Sequence, residues 1–441
     1  MREMKDSGIE WIGMIPKDWK ISKIKNETIL IGSGSTPTSG NLDYYENGNI
    51  NWIQSGDLYN KKAIMDTSAK ITEKALKEVS ALNVYSKNFI VVAMYGASVG
   101  NVSISYIDAC SNQACCCLKT NKNNDLNFMY YWLNTSKNYF LSNTDGGTQP
   151  NISQNKIKNH FYCVPSIDVQ KKISRFLDNK CSEIDSLTKD IQQQISQIEE
   201  YKKAVITEAV TKGLNPNVEM KESSIEWVGK IPKCWEKSKL NYECYIRARL
   251  GWRGLKADEY VDEGYAFLSA FNIQENKMKW DNVNFINKQR YDESPEIKLS
   301  VGDILLVKDG AGIGKTARID NLPLGECTTN SSLAVITPSK KLNYRYLSYY
   351  LQSSVFLNFI NRVLNGMGVP HLTQEIMKSI NVLIPVYDEQ IEISDFLDKK
   401  CYEINSIIES KKQQLSKLEE YKKSVIYEYV TGKKEVLYYE D

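Results

Sequence analysis

Histidine is nearly missing: 441 residues contain two, His160 and His371. That leaves little for acid–base catalysis near neutral pH, where imidazole is the usual proton carrier. Ten cysteines are present, and Cys110, Cys115, Cys116 and Cys117 cluster, yet there is no C-x-x-C pair. Zinc needs paired ligands at recognisable spacing, so no metal site is expected. SNQACCCLKT reads as a strand in which cysteine acts as a small buried hydrophobe. No G-x-S-x-G elbow, no H-E-x-x-H and no D/N-P-P-Y/F tetrapeptide occurs. No run of 18 apolar residues could span a membrane. MREMKDSGIEW at the start lacks the apolar heart of a signal peptide, which leads us to expect a cytoplasmic protein. Neither charge sign dominates, with 56 Lys plus Arg against 54 Asp plus Glu. These absences point to a recognition or scaffold subunit without catalysis of its own.

One motif invites misreading. GAGIGKT, residues 310 to 316, resembles a phosphate loop, but Walker A spacing requires glycine where Asp309 stands. The following TARIDNLPLGE is β-branched and broken by Pro323 and Gly325, so it offers no helix N-terminus for a phosphate. A strand–turn–strand is expected instead.

What the chain does have is a duplication. QKKISRFLDNKCSEIDSLTKDIQQQISQIEEYKKAVITEAVTK begins at Gln170, and QIEISDFLDKKCYEINSIIESKKQQLSKLEEYKKSVIYEYVTG begins at Gln390. Neither glycine nor proline occurs between Lys171 and Thr211, and apolar residues recur in heptads. Leu177, Ile184, Ile191, Ile198 and Val205 stand seven apart, with Leu187, Ile195 and Tyr201 between them. The second copy offers Leu397, Ile404, Leu418 and Val425, with Ile407, Leu415 and Tyr421 between, and Lys411 interrupting. Such a seam predicts two long coiled-coil helices that pack side by side. Gln194 and Gln414 sit at its edge, where polar side chains can fix register. Cys181 and Cys401 are expected to face it as thiols.

The halves share more than helices. DSGIEWIGMIPKDW at 6 to 19 returns as ESSIEWVGKIPKCW at 222 to 235. Between lead-in and helix the sequences diverge, but a common skeleton remains. NWIQSGDL aligns with AFLSAFNI, FIVVAMYGASVGNVSI with DILLVKDGAGIGKTARI, and SNQACCCL with TNSSLAVI. Aromatic-rich helical stretches follow, in which Met129-Tyr130-Tyr131-Trp132 reads as core. Each middle is therefore a mixed α+β domain. The expected partition is 1–165, helix 166–213, 214–384 and helix 385–441.

The lead-ins IEWIGMIPKDW and IEWVGKIPKCW resemble those of type I restriction–modification specificity subunits. So do the closers VPSIDVQKKISRFLD and IPVYDEQIEISDFLD, in which Pro165 and Gln170 match Pro385 and Gln390. IEEYKKAVITEAVTKG and LEEYKKSVIYEYVTGK complete a resemblance that spans the chain. It implies an α+β fold: two mixed target recognition domains joined by two long, paired antiparallel helices in a pseudo-twofold tandem repeat. Each domain would read one half of a split, asymmetric double-stranded DNA target, and the helices would set the gap. About 27 to 40 helical residues span about 40 to 60 Å, comparable with the roughly 34 Å between half-sites one turn apart. Two methyltransferase subunits would dock on the repeated regions and carry S-adenosylmethionine for adenine methylation. Restriction subunits with ATP and Mg would join for cleavage. This chain itself would hold no cofactor. The alternatives are a coiled-coil scaffold without a nucleic-acid role, and a reader serving another methylation-based defence system.

Candidate DNA contacts come from residue chemistry. RARLGWRGLK supplies Arg247, Arg249, Arg253 and Lys256 around Trp252, with Arg suited to guanine and Lys to phosphate. Lys308, Lys315 and Arg318 flank the glycine-rich turn. In the first half Ser33, Ser35, Thr36 and Thr38 lie in a Gly/Ser/Thr/Pro loop, joined by Asn41, Tyr44, Gln54, Tyr95 and Asn112.

Overall fold

The computed structural model describes residues 2–144, 150–225, 227–248, 255, 259–310, 312–364 and 371–436. The chain forms two compact units: Met1–Asp190 with Gln413–Asp441, and Ile191–Lys412. Two long helices, Ile167–Lys212 and Tyr387–Val430, contribute residues to both units.

In the first unit a five-stranded sheet runs in the order Thr28–Ser33, Cys115–Thr120, Phe89–Ala93, Val102–Ser105, Ala63–Ile64. The first three pairings are antiparallel and the last is parallel. The second unit repeats the first four positions, all antiparallel, with Cys244–Ala248, Leu333–Pro338, Ile304–Val307 and Thr316–Arg318. A small sheet accompanies each: Cys110–Ser111 runs parallel to Ile50–Ile53, as Cys327–Thr329 does to Tyr265–Leu268. Divergent sequences thus build one topology twice, because each keeps apolar strands at the same places. GAGIGKT closes an antiparallel hairpin, with Gly310 and Gly314 at positive φ and a strand, not a helix, after it. A Cβ on Gly314 would come within 3.2 Å of Ile360.

Cys115, Cys116 and Cys117 are fully buried in an interior strand of the sheet, and burial pushes the Cys117 thiol up to about 12. Met129, Tyr131 and Trp132 are core residues of the helix Leu126–Thr135. His160 is buried against Trp11, Tyr139 and Phe140, and burial pulls its imidazole down to about 4. It is therefore neutral at physiological pH and fills the core.

The long helices pair antiparallel within each unit. In the first, Phe176 meets Tyr429 with ring centroids 4.3 Å apart, and Lys422 Nζ lies 2.6 Å from Asp185 Oδ1. In the second, Lys202 Nζ donates to Asn405 Oδ1 at 2.8 Å and Lys411 Nζ to Gln194 Oε1 at 2.6 Å. Lys411 therefore joins a polar pair at the seam rather than merely interrupting it. Such pairs set register where apolar residues alone would tolerate slippage.

The seam differs from expectation at four of its intervening positions, Leu187, Tyr201, Ile407 and Tyr421, whereas Ile195 and Leu415 are half-buried as expected. Leu187 and Ile407 are 52% and 49% exposed and face outward. Thr188 and Ile408 turn inward in their place, and Lys202 and Lys422 do so instead of Tyr201 and Tyr421. The reason is helical phase. At 100° per residue, a step of four from Ile184 or Ile404 stays nearer the buried stripe than a step of three. Leu177, Ile184, Leu397, Ile404 and Val425 are buried, whereas Ile191, Ile198, Val205 and Leu418 are half-buried. Cys181 and Cys401 are buried on the stripe.

Each long helix is anchored at both ends. Gln170 is fully buried: its amide donates to Pro165 O at 3.0 Å, and its Oε1 accepts from Asp125 N at 2.8 Å. Gln390 does the same with Pro385 O at 2.9 Å and Asn343 N at 2.7 Å. Asp125 and Asn343 cap the aromatic-rich helices, so each glutamine ties two helix starts together. At the far ends Gly213 and Gly432 adopt positive φ. A Cβ on Gly432 would fall 2.5 Å from Pro16 and 3.0 Å from Trp19, and one on Gly213 would lie 3.3 Å from Trp235. The tryptophans of the lead-ins thus seat against bare backbone where each helix stops.

Two outcomes follow from these contacts. Ile184→Ala should lower unfolding stability by about 2–4 kcal/mol, whereas Leu187→Ala should change it by no more than about 0.5 kcal/mol. Equal losses in urea titrations would place the seam in the wrong phase. Gln390→Ala should lose about 1–3 kcal/mol, because the half-buried Asn343 N–H is left without the acceptor that the fully buried Gln390 supplies.

Candidate nucleic-acid interface

Strand direction brings the variable loops to one end of each sheet. In the first unit, Gly34 N donates to Ser111 Oγ at 3.1 Å, and Thr36 Oγ1 donates to Gln113 Oε1 at 2.6 Å. Asn112 N donates to Ile53 O at 3.0 Å, Met94 N to Ala114 O at 2.8 Å, and Ile152 N to Met94 O at 2.9 Å. Ser35, Thr36, Gln54, Tyr95 and Asn112 therefore belong to one loop cluster, while Ser33, expected in the loop, is the last residue of the strand that leads into it and pairs with Cys116. Thr38 is exposed farther along the same loop, before Asn41. Asn41 and Tyr44 occupy its outer flank, where Asn41 caps a short 3-10 turn and Tyr44 donates to Glu78 at 2.8 Å.

Some of these side chains already have structural work. Asn112 Oδ1 accepts from Ala114 N at 3.1 Å, and Asn330 Oδ1 accepts from Ser332 N at the same distance. The repeat thus preserves an asparagine turn at this point. Thr36 and Tyr95 are exposed, and Ser33, Ser35 and Gln54 are partly so.

The second unit gathers equivalent loops around Lys308, whose N–H donates to Ser332 O and whose carbonyl accepts from Leu372 N, both at 2.9 Å. Asp309 takes hydrogen bonds from Lys308 Nζ at 2.8 Å and from His371 Nδ1. Burial works to raise the Asp309 carboxyl, but those two hydrogen bonds outweigh it and hold it below the usual range. Lys315 is exposed on the hairpin turn.

The arginines divide differently. Arg249, Trp252, Arg253 and Lys256 lie outside the described residues. The strand leading to them ends at Ala248, paired with Ala334, and so points into the loop cluster. Arg247 turns the other way. It is 11% exposed and reaches Asp303 at 2.9 Å, Thr337 and the Lys298 carbonyl. Asp303 is 1% exposed, which makes this a buried ion pair inside the sheet.

Arg318 is also engaged, at 3.0 Å from both Asp320 and Asp398. Asp398, on the second long helix, further accepts from Arg345 Nε at 2.9 Å and Tyr349 OH at 2.5 Å. Burial acts to raise this carboxyl, yet the hydrogen bonds from Tyr349 and Arg345 and the charge of Arg318 keep it below the ordinary range. The first unit has the twin: Asp178 accepts from Tyr131 OH at 2.5 Å and pairs with Lys62. These aspartates clamp each globular part to its long helix. The signal for them was the repeated FLD of RFLDNK and DFLDKK, present in the helix and in the repeated closers, where sequence reasoning gave the aspartate no role.

A model of the family described as "Type I restriction modification DNA specificity domain" matches residues 16–197 and 232–420. The MjaVIII type I restriction enzyme specificity subunit of Methanocaldococcus jannaschii is 24% identical over 386 residues, 87% of this chain and 86% of the relative. The MjaIX specificity subunit of the same organism is 26% identical over 380 residues, 85% and 84% of the two chains. Among solved structures, a chain from "Structural basis underlying complex assembly and conformational transition of the type I R-M system" superposes with a TM-score of 0.70. It shares 14% identity and covers 94% of this chain and 98% of its own. That likeness is one of fold.

Removing the Arg247 guanidinium strands the Asp303 carboxylate, so Arg247→Ala should lose about 3–5 kcal/mol, while Lys315→Ala should leave stability unchanged. A stable Arg247→Ala protein in thermal and urea melts would refute the buried pair. Because Asp398 is depressed in the folded state, its stabilisation is complete above the unfolded value of about 3.9. It is lost as pH falls through the lower folded value. Asp398→Asn should therefore flatten the acid limb of a stability–pH curve.

Proposed function

Since the chain belongs to the type I restriction modification DNA specificity domain family, we propose that it is the DNA sequence-specificity subunit of a type I restriction–modification complex. Each globular unit reads one half of a split, asymmetric target. The observation that carries this reading is the duplicated loop cluster. One sheet, with its asparagine turn, is built twice, while the side chains at its loop end differ. Ser33, Ser35, Thr36, Gln54 and Tyr95 stand in one unit; Lys308, Lys315 and His371 stand in the other. A constant frame with unlike tips suits a reader of two unlike sequences.

Hydroxyls and amides of the first cluster can bond phosphates or base edges, and the exposed Lys315 of the second suits phosphates, whereas Lys308 is held by Asp309. Arg249, Arg253 and Lys256, with Trp252 among them, remain candidates for base contacts on the strength of their chemistry. Arg247 and Arg318, tied to carboxylates, act in our reading as supports rather than readers. The paired helices serve as the spacer that sets the gap between half-sites. Two methyltransferase subunits dock on the repeated lead-ins and helices, matching a pseudo-twofold reader to two copies of one enzyme. They carry S-adenosylmethionine and methylate adenine. Restriction subunits bring ATP, Mg and cleavage. The complex works in the cytoplasm.

The test is methylation mapping. Co-expression with the neighbouring methyltransferase should produce N6-methyladenine at a single motif of two unlike half-sites with a fixed gap. Replacing residues 236–383 by those of a relative should change one half-site only. Binding of the assembled complex should weaken linearly in log salt, with a slope of about −0.9 per neutralised phosphate. A continuous motif, or affinity indifferent to salt, would favour a protein scaffold instead.

A further inference from the structure

One turn in the loop cluster is built twice and tipped differently. Gln54 and Asp57 form a reciprocal capping box around a short 3-10 turn, with Gln54 N donating to Asp57 Oδ2 at 2.9 Å. Ser269 and Asn272 repeat it, with Ser269 N donating to Asn272 Oδ1 at 2.9 Å. Asp57 and Asn272 are both buried. The second turn is held again from outside: Lys279 N donates to Asn272 O at 2.8 Å. At its tip the first unit has Gly56, and the second has Phe271.

Phe271 is 89% exposed. Its ring adds almost nothing to the core, so burial does not account for its size. The turn nevertheless holds it rigidly outward. It leaves the sheet at the end where Asn330 N donates to Leu268 O at 2.8 Å, beside the loops of Lys308 and His371. Glu275, Lys277 and Lys279, all exposed, follow it in the chain. A single apolar ring on a stiff stalk, at the loop end proposed to meet DNA and without an apolar surface around it, fits a ligand with stackable faces better than it fits an apolar protein groove.

We infer that Phe271 is a wedge for the second half-site, entering between stacked bases. The inference rests on the proposed DNA reading and deepens it. Phenylalanine is among the side chains that part base steps, and pyrimidine–purine steps yield most readily. The wedge reads deformability in the second half-site, while the first unit, with Gly56 at the matching tip, does not. A Cβ on Gly56 meets nothing within 4 Å, so the first turn has room for a side chain.

The experiment uses the full chain assembled with its methyltransferase subunits, after methylation mapping has defined the target. 2-Aminopurine is placed at successive steps of each half-site. Fluorescence should rise at one step of the second half-site and none of the first. Phe271→Ala should abolish the rise and weaken binding about 5- to 150-fold, the range of one lost base–aromatic stack. Gly56→Phe should create a new bright step in the first half-site. If the split motif is found but no step brightens and Phe271→Ala binds like wild type, the wedge is refuted while the reader stands. If Phe271→Ala instead releases methyltransferase subunits in the absence of DNA, the ring covers a protein and the inference fails. If no split motif appears, the reading beneath it fails as well.

Discussion

Neither long helix can stand in water by itself. Each carries an apolar stripe through Leu177 and Ile184, or Leu397 and Ile404, and each fully buried residue of that kind contributes about 1.5–3 kcal/mol. The stripe of one helix is covered by the other, antiparallel, and each compact unit takes part of both. The chain therefore leaves the first unit along one helix, builds the second, and returns to the first along the other. Polar pairs such as Lys202–Asn405 and Asp185–Lys422 then hold the register against sliding.

On that shared frame each globular unit is fastened at repeated points. Gln170 and Gln390 join helix starts, Asp178 and Asp398 hold a tyrosine and a cation, and glycines at the helix ends admit Trp19 and Trp235. These contacts keep one sheet in one pose against its helix, so the loops at the free end can change without disturbing the fold. Family membership and the doubled topology lead to the same picture: a constant body with two different faces.

Much of this was legible from residue pattern. The 220-residue repeat, the absence of glycine and proline from 171 to 211, and the heptads exposed the helices and their partnership. The dismissal of GAGIGKT as a phosphate loop followed from Asp309 and from β-branched residues after it. Less legible was the phase of the seam. Leu187 and Ile407 drew the assignment because they are apolar, although helix geometry favours Thr188 and Ile408. A stripe that accepts threonine and lysine does not announce itself by hydrophobicity.

The sequence by itself determined the duplication, the class of each half, the long paired helices and the family, because these depend on periodicity and local chemistry along the chain. Only the tertiary structure decided what each polar side chain does. Arg247 and Lys315 carry the same charge in one unit. One is spent on a buried aspartate 56 residues away and the other faces solvent. The capped turn that presents Phe271 was visible in the sequence only as part of the aligned stretch AFLSAFNI. Such roles depend on which distant carboxylate or carbonyl a side chain meets when the sheet closes, and nothing in the local sequence encodes that meeting.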